Sequence, residues 1–364
     1  MKKIQLLVAA FAALSMFSCS NEEVTGEAPQ VGTKAKVTIS LQGKGETKAT
    51  SSDPHTGDTE INNYIAFFFT DEGTLVSKHY VADPTQGDAN SLTTATTAKK
   101  VCIVANTGAL DGGLFKDITT ENQLKAVSGS LAGESADPFS TSTQTGTNVW
   151  STGTGNVTFD IATKTGTANV NMNFLAAKIM VTVVDNRTNN DNPAKIQITN
   201  KEIVLLNAGG EAHFFATDEN KMVQTKWFNG DASYNSPTNT VVGTFLSETY
   251  VANGIYFYAF GNSSEDQPTI LAIKADRVEN NGTATTVYYP IAFSSADAGA
   301  GATTEYADFV PGNAYSVTLT LNGDVGAGGG GGTVDPEEPV VEADVTVNIT
   351  KAAWTPKPVG KEFN

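Results

Sequence analysis

Near its N-terminus the chain reads Lys36-Val37-Thr38-Ile39-Ser40-Leu41, and this stretch sets a pattern that the rest of the sequence repeats. Apolar and polar residues alternate in it, so a β-strand would place Val37, Ile39 and Leu41 on one face. Similar short runs, separated by Asn, Gly and Asp, occupy residues 64–69, 101–105, 157–161, 179–184, 255–260 and 317–321. This organisation predicts an all-β protein whose antiparallel strands pack as β-sandwiches.

One segment has the pattern of a helix. Thr120 and Gln123 have the spacing of a capping box, in which each side chain bonds the other residue's backbone N–H. Leu124, Val127 and Leu131 follow at helical intervals. We therefore expect one short helix on an otherwise β fold.

The sequence also indicates how the chain is divided. A polar stretch at residues 133–155 is followed by a new apolar run after Asn173, and the strand-rich pattern then continues to Gly323. We predict one β-sandwich domain at residues 49–173 and a second at residues 174–323. Residues 324–364 are predicted to be a Gly-rich linker followed by a tail.

Composition excludes several classes of function. The 364 residues include 23 Lys and Arg against 39 Asp and Glu, a net charge of −16. Such a chain lacks the overall basic surface that nucleic-acid binding needs. Its two cysteines, Cys19 and Cys102, are too few for a disulfide framework, an iron–sulfur cluster or a Cys-rich zinc site.

The sequence also lacks the spacings that catalysis and metal binding require. His55, His79 and His213 form no H-x-x-x-H arrangement, and no nucleophile with a base or carboxylate pair stands at a meaningful spacing. We predict that the protein is not an enzyme and holds no cofactor or metal. Cys102, within an apolar run, is expected to be a buried small hydrophobe, and His213 a strand residue.

The N-terminus has the features of an export signal. Lys2 and Lys3 precede an apolar run at residues 4–14 that is too short to span a bilayer. Ser18 then precedes Cys19, as in the lipobox of bacterial lipoproteins. This predicts a signal peptide at residues 1–18 and a lipid, such as palmitate, on Cys19. An ordinary signal peptide with an incidental cysteine remains the alternative.

The tail carries a second copy of the opening pattern. After the Gly-rich residues 326–332 comes a run in which Val345, Val347 and Ile349 alternate with short polar residues. Either this run or the strand with Val37, Ile39 and Leu41 could occupy the same apolar groove. Many sandwich strands share the pattern, so the similarity alone leaves exchange between them open.

Two surroundings favour such an exchange. Residues 43–54 form a polar stretch with Gly, Pro, Lys44 and Lys48, the composition of loops that proteases cut. The linker from Asp324 to Pro339 has about 16 residues and could extend about 50 Å at roughly 3.3–3.6 Å per residue. That length would reach a neighbouring molecule.

Taken together, these features resemble the Bacteroidales fimbrillins, the major subunits of type V pili. The resemblance rests on the lipobox-like Cys19, the strand before a Lys-Ala site, the two β domains, the Asn313-Ala314-Tyr315-Ser316-Val317 strand entry and the tail pattern Val-Thr-Val-x-Ile-(x)4-Trp. It implies two transthyretin-like β-sandwich domains and export as an outer-membrane lipoprotein precursor with a propeptide at residues 19–48.

The same resemblance implies a mechanism of assembly. A trypsin-like protease would cut between Lys48 and Ala49 and remove Val37, Ile39 and Leu41. The groove left behind would accept a neighbour's donor strand, formed by Val345, Val347, Ile349 and Trp354. Some family members are cut after Arg, whereas Arg187 and Arg277 here lie far downstream, so a protease that accepts Lys is required.

We therefore predict a stalk subunit of a cell-surface fimbria that polymerises by protease-triggered donor-strand exchange and supports adhesion. Its partners would be copies of itself, related fimbrial subunits, the processing protease, and host or bacterial surface receptors. A monomeric, surface-anchored lipoprotein that binds glycans or mediates adhesion is the alternative, as is a fimbrial tip or anchor subunit. Retention of Cys19 and residues 35–42 in the mature protein would favour the monomeric lipoprotein. An anchor subunit should keep its lipid and lack a cut site, and a tip subunit should lack a free donor tail.

Overall fold

The structure is a computed structural model that describes residues 32–43, 56–86, 90–110, 113–130, 149–185, 197–215, 227–229, 231, 247–249, 255–262, 268–278, 282–293, 310–321, 334–335, 345–353, 356 and 359. Within these ranges the chain forms 19 β-strands, one 3-10 helix at Thr56–Thr59 and one α-helix, α1, at Glu121–Lys125. No described helix is long and apolar enough to cross a membrane.

The strands fall into two consecutive groups along the chain. The first group is β1 (Lys34–Gly43), β2 (Tyr64–Phe69), β3 (Leu75–Val81), β4 (Ser91–Ala95), β5 (Lys100–Ala105), β6 (Ser128–Ser130), β7 (Ser151–Asp160) and β8 (Thr165–Phe174). The second group is β9 (Ala176–Asp185), β10 (Gln197–Leu206), β11 (Ala208–Gly209), β12 (Glu211–His213), β13 (Trp227–Phe228), β14 (Ser247–Thr249), β15 (Ile255–Phe260), β16 (Thr269–Val278), β17 (Thr285–Phe293), β18 (Asn313–Leu321) and β19 (Val345–Ala353). All seven strand runs predicted from the sequence overlap one of these strands.

Seven strands of the first group form one sheet in the order β3-β2-β5-β7-β8-β1-β4. The hydroxyl of Ser77 on β3 bonds that of Thr94 on β4 at 2.7 Å, so the two end strands lie against each other. The sheet therefore curls around an apolar core of its own, to which β1, β2, β5 and β8 contribute.

Strand β2 is buried on both faces, which explains why its sequence does not alternate. All six of its residues are buried. Tyr64, Ala66 and Phe68 belong to the core inside the curled sheet, whereas Phe67 and Phe69 belong to a larger core outside it. A strand with two apolar surroundings needs apolar side chains at every position.

The chain passes from the first sheet to the second group at Leu175, between the end of β8 and the start of β9. A six-stranded sheet in the order β13-β11-β15-β9-β18-β19 packs against a four-stranded sheet in the order β14-β10-β16-β17. Ile179 and Phe257 from the first of these sheets share a core with Leu205 and Leu271 from the other. This β-sandwich architecture agrees with the predicted fold class, while the exact domain limits remain predictions.

Most pairs among the described strands are antiparallel, as expected, but two are parallel. Strand β1 runs parallel to β8, and β18 runs parallel to β9. Both are pairings between strands that are distant in sequence, so no hairpin turn sets their direction.

The helix confirms the predicted capping box but ends earlier than its apolar spacing suggests. The Thr120 hydroxyl accepts a bond from the Gln123 N–H at 3.2 Å, and the Gln123 side chain accepts one from the Thr120 N–H at 3.1 Å. The helix stops at Lys125, and Ser128–Ser130 is a strand instead. Pairing of β6 with β12 overrides the helical pattern there; Leu131 lies outside the described residues.

The strand pair β6–β12 connects the two strand groups, and a glycine in this pair is closely packed. Gly129 pairs with Ala212. The Trp150 ring packs on the Phe214 ring beside this pair, with 5.1 Å between the centroids. A Cβ atom added at Gly129 would lie 2.3 Å from the Trp150 ring, which leaves no room for a side chain.

We accordingly expect Gly129→Ala to destabilise the protein by about 1–3 kcal/mol, the usual cost of overpacking a core. The matched control is Gly57→Ala, since a Cβ added at Gly57 meets nothing within 4 Å. Chemical denaturation of both variants measures the difference. Equal stability of the two variants would show that the packing around Gly129 accommodates a methyl group without loss of stability.

Candidate functional site

The strand that is predicted to be removed fills the core of the first sheet. Val37, Ile39 and Leu41 are all 0% exposed. They pack in the same apolar cluster as Ala168, Val170 and other residues of the curled sheet. The structure thus brings together the three residues that the alternating pattern singled out. Their loss would leave an apolar groove.

Strand β1 is an interior strand, paired along both of its edges. On one side it pairs with β8 from Lys36 to Gly43. On the other side it pairs with β4 from Lys34 to Thr38, and the Ile39 N–H then donates to the carbonyl of Asn90 at 2.9 Å. Removing β1 would therefore expose backbone donors and acceptors on two neighbouring strands.

Beyond Asn90, the outer edge of β1 is covered by the C-terminal tail. The N–H of Leu41 donates to the carbonyl of Val359 at 2.8 Å, and the N–H of Val359 donates back to the carbonyl of Leu41 at 2.9 Å. The half-buried Val359 packs against the cluster that contains Leu41. Sequence reasoning missed this residue, because a single valine between Pro358 and Gly360 carries no strand pattern.

The predicted donor strand lies on its own subunit. Strand β19 pairs antiparallel with β18 over its whole length, from Leu321 with Val345 to Asn313 with Ala353. In this register Val347 pairs with Leu319 and Ile349 with Val317. Because β19 is the last strand of its sheet, it can leave without separating two other strands.

The remaining predicted site residues lie outside the part of the chain that the structure describes. These are Cys19, Lys48, Ala49 and Trp354. Their roles in lipidation, processing and strand donation stay predictions.

A buried ion pair that was missed from the sequence joins the two strand groups. Lys178 on β9 is 0% exposed at its side chain and binds Asp58, which is 2% exposed. The Tyr258 hydroxyl also donates to Asp58 at 3.2 Å, and the Lys178 ammonium lies 5.2 Å from the centre of the Tyr256 ring. Asp58 belongs to the 3-10 helix Thr56–Thr59, the first described element after β1.

Cys102 and His213 both have the structural positions expected from the sequence. Cys102 is 1% exposed, and burial raises the pKa of its thiol to about 12, so it is a thiol at neutral pH. His213 is a residue of β12, as predicted. Among the described residues, no group of three or more His, Cys, Asp or Glu side chains could hold a metal ion.

Comparison with known proteins places these features in a family. The model of the major fimbrial subunit protein (FimA) matches residues 35–200. The model of the FimA-like major fimbrial subunit protein, C-terminal domain, matches residues 176–354. A candidate cell adhesion protein from Bacteroides eggerthii is 38% identical, with 90% of this chain and 98% of that chain covered and a TM-score of 0.75.

The chain belongs to the fimbrillin family. As a fimbrillin it is a structural subunit of a cell-surface fimbria, a pilin that assembles with copies of itself and with related subunits. The resemblance to the fimbrillins that the sequence suggested is thereby confirmed.

More distant solved structures share the fold. A fimbrilin from Porphyromonas gingivalis is 17% identical, with 89% of this chain and 99% of that chain covered and a TM-score of 0.64. A candidate cell adhesion protein from Parabacteroides distasonis is 16% identical, with 88% and 100% covered and a TM-score of 0.55. No curated protein matches this fimbrillin.

Proposed function

We propose that this fimbrillin is a stalk subunit that polymerises by protease-triggered donor-strand exchange. In this scheme β1 is removed from each precursor, and the β19 segment of a neighbour takes its place in the curled sheet. One observation carries the proposal: an interior strand that fills the core follows the predicted export signal, while a strand of the same pattern lies at a sheet edge near the C-terminus.

Energetics make β1 a suitable trigger. Burial of a branched aliphatic side chain contributes about 1.5–3 kcal/mol, so losing Val37, Ile39 and Leu41 forfeits roughly 5–9 kcal/mol. The whole net stability of a typical domain is about 5–15 kcal/mol. A cleaved subunit would therefore gain much of its stability back by accepting a strand from a partner, through β-augmentation.

Processing would begin with a lipidated precursor. We propose that Cys19 carries the lipid, that the precursor sits in the outer membrane, and that a trypsin-like protease cuts between Lys48 and Ala49. The buried Asp58–Lys178 pair lies on the retained side of this cut. It would hold the start of the mature chain in place while β1 leaves.

Adhesion would then be a property of the assembled fibre, which would contact host or bacterial surface receptors. A second candidate is a surface-anchored adhesive lipoprotein that stays monomeric. It is favoured by the position of β19 on its own subunit and by the adhesive role proposed for the Bacteroides eggerthii relative. The two candidates differ in the mature N-terminus: Ala49 for the stalk subunit, and lipidated Cys19 for the anchored monomer.

The test of strand exchange uses a deletion of residues 340–364. We expect the deleted precursor to fold, because β19 is an edge strand, but to form no high-mass polymers after treatment with a trypsin-like protease. The full chain should polymerise under the same treatment, with Ala49 as its new N-terminus. Sedimentation, electron microscopy and N-terminal sequencing measure the outcome, and continued fibre formation by the deletion would refute the proposal.

Point variants provide a matched control for the deletion. Val347→Asp with Ile349→Asp places charges at the apolar positions of the donor pattern, where they would be buried in the acceptor groove at high cost. Thr346→Asp with Asn348→Asp adds the same charge at the alternate positions. We expect the first pair to abolish polymerisation and the second pair to retain it.

A further inference from the structure

The removable strand and the donor tail are in contact with each other in the same subunit. Strand β4 covers the outer edge of β1 only from Lys34 to Thr38. Leu41 uses the uncovered part of that edge to form both of its outward backbone bonds with Val359. Through its described residues the tail is thus attached at two places, to β18 through β19 and to β1 through Val359.

The second attachment has both a polar and an apolar component. The reciprocal bonds of 2.8 and 2.9 Å between Leu41 and Val359 are those of a hydrogen-bonded antiparallel pair. The Val359 side chain packs against the core that Val37, Ile39 and Leu41 fill. Pro356, between β19 and Val359, is buried as well. The end of the tail is therefore docked on the precursor.

We infer that the contact between Leu41 and Val359 is a latch that couples release of the donor tail to removal of β1. This inference rests on the proposed strand exchange. When β1 leaves, Val359 loses both of its backbone hydrogen bonds to Leu41 and the apolar surface that it packs against in the same event. One proteolytic cut then empties the acceptor groove and frees the end of the donor tail. In the uncut precursor the groove is filled by β1 and the end of the tail stays bound to it.

Thermodynamic linkage makes the latch reciprocal. If β1 holds the tail, the tail holds β1 to the same extent. Weakening the Val359 contact should therefore loosen β19 in the intact precursor and also hasten the departure of the cut strand. These two effects are measurable without any polymer being formed.

The test compares Val359→Pro with Val359→Ala in the full precursor. Proline removes the N–H that donates to Leu41, whereas alanine keeps both backbone bonds and shortens only the side chain. Two lost or weakened hydrogen bonds should accelerate hydrogen exchange of Val345–Ala353 about tenfold in the proline variant. The alanine variant should change less. Equal exchange of β19 in wild type and both variants would overturn the latch.

A second measurement follows the cut strand in precursors that also carry Val347→Asp and Ile349→Asp, so that no donor competes. After cleavage, native mass spectrometry records how long the peptide with β1 stays bound. We expect Val359→Pro to shorten this time about tenfold, and an unchanged time would contradict the latch.

These outcomes separate the latch from the strand exchange on which it rests. If Val359→Pro leaves the hydrogen exchange of β19 and the retention of the β1 peptide unchanged while the wild type polymerises normally, the latch is refuted and the donor-strand exchange stands. If that variant shows faster hydrogen exchange of β19 and faster loss of the β1 peptide, but the cleaved wild type forms no polymer, the donor-strand exchange is refuted. The contact between Leu41 and Val359 would then only hold the tail on its own subunit.

Discussion

A cleaved subunit from which the β1 peptide has been removed should be less stable than the precursor by roughly 5–9 kcal/mol, the contribution of three fully buried aliphatic side chains. Since one kcal/mol shifts the melting temperature of a protein of 150–250 residues by about 2–4 °C, the Tm should fall by roughly 10–35 °C. The loss is this large because β1 contributes its apolar face and also pairs with two neighbouring strands.

A synthetic peptide of Lys34–Gly43 should reverse the loss. Added to the cleaved subunit lacking residues 340–364, it should raise the Tm further with each tenfold increase in its concentration, as expected for a ligand that binds only the folded state. A peptide with Val37→Ser and Ile39→Ser should not, because these positions are buried. A control peptide with Lys34→Ser and Lys36→Ser, which are exposed positions, should act like the native one. Equal effects of both altered peptides would show that no specific groove exists.

Lys178→Met should destabilise the protein by about 3–5 kcal/mol, because it leaves the carboxylate of Asp58 buried without its cation. The pair lies almost wholly out of water, with side-chain exposures of 0% and 2%. Urea denaturation of the single variant measures the loss. Lys178→Met should also impair polymerisation, since Asp58 anchors the 3-10 helix that is the first described element after the predicted cut.

The double variant Lys178→Met with Asp58→Leu tests the physical cause. Replacing both partners by apolar residues removes the unpaired charge, so we expect most of the lost stability to return. Lys116→Met is the surface control, because Lys116 and Asp117 form an exposed pair with 57% and 86% exposure. Such a pair contributes at most about 1 kcal/mol. A double variant as unstable as Lys178→Met would show that packing, and not charge, explains the loss.

Much of the fold could be predicted because β-strands and caps leave local patterns. The alternation in Lys36–Leu41 identified both the strand and its buried face, since the side chains of a strand alternate between two faces. The capping box of Thr120 and Gln123 was equally local, as it spans one helical turn. The extra burial of Phe67 and Phe69 was not evident, because a strand with two covered faces has no alternation to read.

The amino-acid sequence by itself determined where several of the strands lie, including β1 and β19, which face of β1 is buried, and that the segments with Val37 and Val345 share one pattern. Only the tertiary structure decided which neighbour each strand has. The parallel pairs β1–β8 and β18–β9, and the bridge from Leu41 to Val359, join distant segments whose own sequences do not encode a partner. Lys178 and Asp58, 120 positions apart, pair for the same reason. Side-chain periodicity reports the face of a strand, whereas its neighbours follow from how the whole chain buries its apolar surface.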